Sequence, residues 1–441
     1  MYLLSNKNRN SNLFNFLLSM LPISFIAGNM VININVLIII FLTLFFFYND
    51  FFKIKINFQD KLLITFFALI IVTGFYNDLL ISYSNKEFAE FRGGFYTSFK
   101  SLLFLKYLLF YFAIKYLIQK NIVNLKFFFL VSSFAAIFVC IDILIQFIFG
   151  KDLFGIVADS SRKLGGPFGS ELIAGGYIQR FSLFAFFVLP LYLNIKNKKV
   201  LSCLVVFLII IFLVGLILAG NRMPMILFLL LMFLILLFQK SARKFFFPFV
   251  FIVPILVFTA MKSNEKVSNN FTNLYMQVSG MAQLVFNYDS NKTKAPQYYK
   301  EFATFYDTWL LNKYLGGGIK NFRYYCHVRP NIDKNSTFVC NMHPHNYYLE
   351  ILTETGLIGF FIIVIFYLII LKKTFYKKYF LVSNLQNNNL IVPFIFLFII
   401  EIFPIKSSGS FFTTGNATYL FLILGILVGL IEKNNLIEKK N

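Results

Sequence analysis

All three histidines of this 441-residue chain, His327, His343 and His345, fall between Leu315 and Gly359. That stretch reads LGGGIKNFRYYCHVRPNIDKNSTFVCNMHPHNYYLEILTETGLIG, and it also holds Cys326, Cys340, Arg323 and Arg329. A neutral imidazole can take a proton from an attacking hydroxyl near neutral pH. His345-Asn346 is followed by nine residues and then Gly356-x-x-Gly359. Asn346 is placed to cap the helix that follows, which sets His345 at a helix start, at the lip of an apolar run. Glu350 and Glu354 are four apart and share one face of that helix. Three roles stand for His345: a general base or substrate hydrogen-bonding group, a metal ligand with His343 and an acid, or a structural side chain. The spacing speaks against a metal, because H-x-H around a proline is not H-E-x-x-H and no cysteine pair is spaced C-x-x-C. Cys326 and Cys340 flank one loop, and in an oxidising compartment they would close it as a disulfide; two free thiols are the alternative. Gly316-Gly317-Gly318 reads as a phosphate-cradling nest or as a flexible turn.

The elements that must position these residues are membrane helices. Hydrophobic residues make up 58% of the chain, which holds 62 Phe and a single Trp, and its mean hydropathy is +0.72. The apolar runs are near the length a bilayer requires and predict an all-α polytopic membrane protein of about twelve spans. They fall near 13–28, 30–48, 62–82, 99–119, 126–149, 171–194, 200–219, 224–239, 245–261, 356–371, 390–403 and 411–431, and the first, eighth and eleventh are short. The first run follows Lys7 and Arg9 like a signal peptide, but it lacks a small-residue cleavage site and is read as a retained helix. The net charge of +22 would suggest nucleic acid in a soluble protein. Here the lysines sit in short loops between apolar runs, where they set topology and meet anionic lipid, so nucleic-acid binding is not expected. The Lys-rich loops near 7–9, 53–61, 115–126, 196–199, 240–244, 372–378 and 433–440 are separated by even numbers of spans. Both termini are therefore expected in the cytoplasm.

This division gives helices over 1–261, a large external loop over 262–355 and helices over 356–441. Within the loop, 297–314 has apolar residues at helical spacing, suited either to the membrane surface or to covering the loop's own small core. Six of the eight arginines (Arg92, Arg162, Arg180, Arg222, Arg323 and Arg329) fall on or near the external side, against the trend of the lysines. A guanidinium is a rigid, permanently charged fork suited to phosphate, so an external site for an anionic, phosphate-bearing substrate is suggested. The alternative is scattered surface arginines. Arg222, in the tight turn Gly220-Asn221-Arg222-Met223-Pro224, carries the functional reading best. Asp142 and Arg180 lie inside apolar runs. They are expected to face each other or to line a cavity open to the outside, with Glu401 a further partner for a cation, unless Arg180 snorkels and Asp142 is neutral.

The pattern Gly316, Gly318, Phe322, His343-Pro344-His345-Asn346-x-Tyr348-Leu349-Glu350-x3-Glu354-x-Gly356-x-x-Gly359 resembles the O-antigen ligase and O-antigen polymerase family, whose relatives include O-linked oligosaccharyltransferases. Arg222 in its turn matches an arginine of that family, and Arg162-Lys163-Leu164-Gly165-Gly166-Pro167-Phe168 resembles an earlier external loop less specifically. The resemblance implies a metal-independent glycosyltransferase with no cofactor, in the bacterial inner membrane, with its active site on the periplasmic face. The implied donor is a glycan on undecaprenyl diphosphate. The acceptor would be lipid A-core in a ligase, a second lipid-linked glycan in a polymerase, or a protein hydroxyl in an oligosaccharyltransferase; the motif favours ligation. By the same resemblance His345 would activate or orient the acceptor, and Arg222, with Arg162 or Arg180, would neutralise the diphosphate. His343, Asn346 and Glu350 would contact donor or glycan. A transporter or flippase of the lipid-linked glycan is the alternative of another class; it explains the arginines but not the histidine loop.

Overall fold

A computed structural model describes residues 2–84, 94–157, 163–193, 195, 197–286, 297–329, 340–407 and 409–438. Among the described residues the chain is all-α, with no strand and one isolated bridge between Lys151 and Val157. Ten helical segments among these residues are long and apolar enough to cross a membrane, and two shorter apolar helices, Arg222–Phe238 and Asn389–Glu401, accompany them. This is a multi-pass membrane protein. Its main helices are α1 (Tyr2–Ala27), α2 (Asn29–Phe51), α3 (Phe58–Ser84), α4 (Tyr96–Phe104), α5 (Lys106–Gln119), α6 (Leu125–Phe149), α7 (Ala174–Leu191), α8 (Lys198–Ala219), α9 (Arg222–Phe238), α10 (Phe246–Ser263), α11 (Glu265–Phe286), α12 (Gln297–Leu310), α13 (Tyr347–Leu371), α14 (Val392–Glu401) and α15 (Thr414–Glu438).

The bundle is built around α15. Of its most apolar stretch 83% is buried, against 11% for α10, which stands at the periphery. The packing of α15 on α5 rests on glycine. A Cβ at Gly425 would stand 2.9 Å from Ile114 Cβ, and one at Gly429 2.8 Å from Ile118 Cβ. Small residues four apart let two backbones approach, and in lipid that close packing is what drives helices together. On the Lys-rich side, Lys115 of α5 binds Asp60 of α3 at 2.6 Å and Glu432 of α15 at 2.9 Å. Tyr111 donates to the other Asp60 oxygen at 2.7 Å. Charges this deep are costly alone, so the triad locks three helices in register.

The tenth span departs from the sequence expectation. Its helix starts at Tyr347, not near 356, and is broken at Gly356 (φ 64°, ψ −171°). A helix interrupted inside a bundle leaves backbone groups that lipid cannot satisfy. Here the segment 313–318 satisfies them. Leu357 N donates to Lys313 O (2.9 Å) and Ile358 N to Tyr314 O (3.3 Å), while Gly317 N and Gly318 N donate to Thr353 O (3.0 Å) and Glu354 O (2.9 Å). A Cβ on Gly356 would fall on the Tyr314 carbonyl, and one on Gly316 on the Glu354–Thr355 peptide. The glycine run is therefore a buried plug for the break and not a phosphate nest: its N–H groups are already engaged. Asn77 of α3 holds it from the other side, donating to Gly316 O at 3.1 Å.

Helix α12 covers a small core of the external segment, where Phe305 packs with Phe322 and Cys326, backed by Cys340 and Leu349. Its other face exposes Tyr299, Phe302 and Tyr306. Cys326 and Cys340 form a disulfide, with Cα atoms 5.8 Å apart.

Candidate active site

The short helix start at Tyr347 places the histidines. Asn346 is the cap: its Oδ1 accepts from Tyr348 N (2.9 Å) and Leu349 N (3.1 Å). Its Nδ2 donates to Pro404 O (2.7 Å) and Lys406 O (3.2 Å). Every donor and acceptor of this side chain is thereby in use, and its work is to tie the histidine turn to the loop between α14 and α15. His345 N donates to His343 O at 3.1 Å, and the two rings meet edge to face with centroids 4.6 Å apart. Burial, aided by the fields of His345, Lys320 and Arg323, pushes the His343 imidazole down to about 4, so it is neutral at physiological pH.

Beside this turn is a buried ion cluster. Arg180 Nη2 binds Glu401 Oε1 at 2.7 Å and Asn416 Oδ1 at 2.7 Å. Lys406 Nζ binds the same Glu401 oxygen at 2.7 Å, and so does Tyr347 OH, at 2.6 Å. The Arg180 guanidinium lies over the Tyr419 ring at 4.9 Å, and the Lys406 ammonium over the Tyr347 ring at 4.4 Å. The side chains of Arg180, Glu401 and Lys406 are 13%, 0% and 5% exposed. Two cations share one carboxylate, leaving a net positive charge at the end of the bundle that carries His345. Such a charge is stabilised by an anion arriving from above. Burial lowers the Lys406 ammonium to about 8, with Glu401 opposing that fall.

A second carboxylate sets the loop that carries Lys406. Glu350, fully buried, accepts from Ser410 Oγ and Phe411 N. Ser410 Oγ also accepts from Lys320 Nζ at 3.3 Å, and Ser410 O accepts from Asn416 Nδ2 at 2.7 Å. Asn416 thus bridges Arg180 to the Glu350 loop.

Of the residues singled out in the sequence, Arg180, Glu350, Asn346, His343 and His345 come together here. Arg222 is engaged elsewhere. Its Nε donates to Asn270 Oδ1 (2.6 Å) and its Nη1 to Gln277 Oε1 (3.0 Å), both on α11. Its neighbour Asn221 accepts from Gly175 N (3.1 Å) and donates to Leu172 O (2.9 Å) at the start of α7. Arg180 lies five residues further along α7, about 7.5 Å along the helix axis. Arg162 lies outside the described residues. Asp142 and Arg180 do not face each other as expected. Asp142 Oδ1 accepts from Leu153 N at 2.8 Å and holds the loop after α6, while Arg180 points to α14 and α15. Lys406 and Lys320 escaped the sequence reading. Nothing local set them apart: the segment 262–355 alone holds eight lysines. Among the described residues no three His, Cys, Asp or Glu side chains converge as a metal site would require.

A many-helix membrane bundle thus carries a buried, net-cationic cluster beside a histidine turn at one end. Residues 180–364 match the family model described as O-antigen ligase. The match supports a glycosyltransferase-type activity for this membrane protein. No curated protein matches the chain.

Proposed function

We propose that the chain transfers a glycan from undecaprenyl diphosphate to an acceptor hydroxyl at the periplasmic face of the bacterial inner membrane, with lipid A-core as acceptor. One observation carries this reading. Arg180 and Lys406 share Glu401 beside the His345 turn, within and adjoining the stretch that matches O-antigen ligases. His345 takes the proton of the acceptor hydroxyl as its oxygen attacks the anomeric carbon. The bond from that carbon to the diphosphate oxygen breaks, and the lipid diphosphate leaves with the electron pair. Arg180 and Lys406 face the charge that develops on it, and Arg222 adds a guanidinium from the neighbouring turn. Preorganised charge of this kind usually lowers the barrier of such a transfer more than any other single effect. Asn346 and Glu350 position the two halves of the site.

The test is the envelope lipopolysaccharide of a deletion strain, complemented with wild type or His345→Ala. The expected result is core without polymer in the deletion, restored by wild type, with the variant about 10²–10⁴ slower in transfer as for loss of a general base. Core bearing one repeat unit would mark a polymerase. Unchanged lipopolysaccharide would move the acceptor to protein or another glycan. Full rescue by a well-expressed His345→Ala removes the base from the mechanism.

A further inference from the structure

An apolar cavity lies on the other side of the membrane from His345. It occupies about 330 Å³ between α7, α8 and α9, walled by Leu183, Phe187, Val205, Ile209, Met232 and Leu236. Its origin is helix length. Helix α9 has 17 residues, about 25 Å at 1.5 Å per residue, and α7 ends at Leu191 just after Pro190. Both fall short of the roughly 30 Å of hydrocarbon a bilayer presents, so apolar space remains at the Lys-rich end.

The mouth of this cavity is polar and basic. Gln239, Ser241, Lys244 and Asn389 line it. Lys244 Nζ donates to Ser202 Oγ at 3.2 Å, a neutral partner, and lies 4.8 Å over the Phe245 ring. Lys240 and Arg243 stand in the loop after α9, and Lys198 and Lys199 open α8. The sequence has no acidic residue between Glu171 and Glu265, nor between Glu354 and Glu401, so the segments framing the mouth contribute cations alone. Basic pockets between helices on this side of a membrane suit lipid phosphate.

We propose that this cavity holds an acyl chain of an anionic phospholipid from the leaflet on the Lys-rich side, with its phosphate on Lys244 and Ser241. The polar groups are confined to that end, which fits a lipid whose head lies there. A donor held at Arg180 would have its head at the opposite end. This lipid site is independent of the transfer reaction.

Native mass spectrometry of the purified full chain tests it, with phosphatidylglycerol, phosphatidylethanolamine and undecaprenyl phosphate added separately to the micelles. The expected result is one retained phosphatidylglycerol, held about tenfold or more over phosphatidylethanolamine. Lys244→Glu should lose that preference, because each basic group near a headgroup contributes measurably to anionic-lipid binding. Val205→Trp, which fills the cavity, should lose the lipid altogether. Should Val205→Trp fail to fold, Lys244→Glu decides alone, since it alters a loop side chain. Equal retention of the two phospholipids, unchanged retention by Lys244→Glu, or displacement of phosphatidylglycerol by undecaprenyl phosphate would each overturn the assignment.

Discussion

Glu401 decides the character of the site. It is a single carboxylate between Arg180 and Lys406, and its two partners differ in one respect. The guanidinium stays charged at any relevant pH, whereas burial brings the Lys406 ammonium to about 8. If both charges face the leaving diphosphate, transfer should fall as pH rises through about 8. Lys406→Arg should keep its charge and move that alkaline limb upward. A pH–rate profile of the reconstituted protein reads this directly, and an unmoved limb in a folded Lys406→Arg would remove Lys406 from the reaction. Stability runs the opposite way. Because the folded value lies below the ordinary 10.5, protonated Lys406 costs folding free energy below about 8. The unfolded chain binds more protons between those values, so the cost is lifted as pH climbs from about 8 toward 10.5. Activity and stability should therefore separate with rising pH. Arg180 was legible in the sequence because a guanidinium inside an apolar run is costly and seldom idle. Lys406 was not, because a loop lysine reads like any other until its short external loop is seen folded down onto Glu401.

At the scale of elements, the break in α13 binds that helix to the segment 313–318. Gly356 takes φ 64°, and its missing Cβ lets the Tyr314 carbonyl lie against the helix. A left-handed conformation costs an ordinary L-residue about 1–2 kcal/mol, and here a methyl group would also push Tyr314 away. Gly356→Ala should lower stability by more than about 2 kcal/mol, with Gly176→Ala as the control. Gly176 is helical with nothing within 4 Å of an added Cβ, so that exchange should be neutral. Thermal melts in detergent compare the two, and equal melting temperatures would show that the break does not depend on glycine. The helices themselves were legible, because lipid forces apolar runs into helices of bilayer length. The His345–Asn346 turn was legible as a cap for the same local reason. The break was not: G-x-x-G in an apolar run signals close packing, but nothing local says that a segment forty residues earlier fills the gap. Nor did the sequence reading mark Gly425 and Gly429 as the surface on which α5 packs.

Across the whole molecule, charge is sorted by end. Central helix α15 carries Asn416 into the Arg180 cluster at one end and Glu432 into the Lys115 triad at the other. The first cluster has an excess of cations and the second an excess of carboxylates, while the surface lysines gather at the second. A bilayer with anionic lipid on its cytoplasmic face would draw the Lys-rich loops to that side and leave the Arg180 and His345 end outside. Two exposed residues report on this orientation. Val382, 98% exposed, lies in a loop of the Lys-rich end, and Met342, 59% exposed, immediately precedes His343. Single cysteines at these positions, in a chain carrying Cys140→Ser and Cys203→Ser to remove its free thiols and with the Cys326–Cys340 disulfide intact, should react oppositely with a membrane-impermeant maleimide. Met342→Cys should label in intact spheroplasts, and Val382→Cys only in inverted vesicles. Labelling of both from one side would mean that α13 does not cross the bilayer as a single span. The even spacing of lysine loops, and with it the periplasmic placement of the transfer site, would then fall. Labelling from opposite sides but reversed would keep the bundle and turn the Arg180 cluster to the cytoplasm, where a lipid-linked donor would have to be met before export.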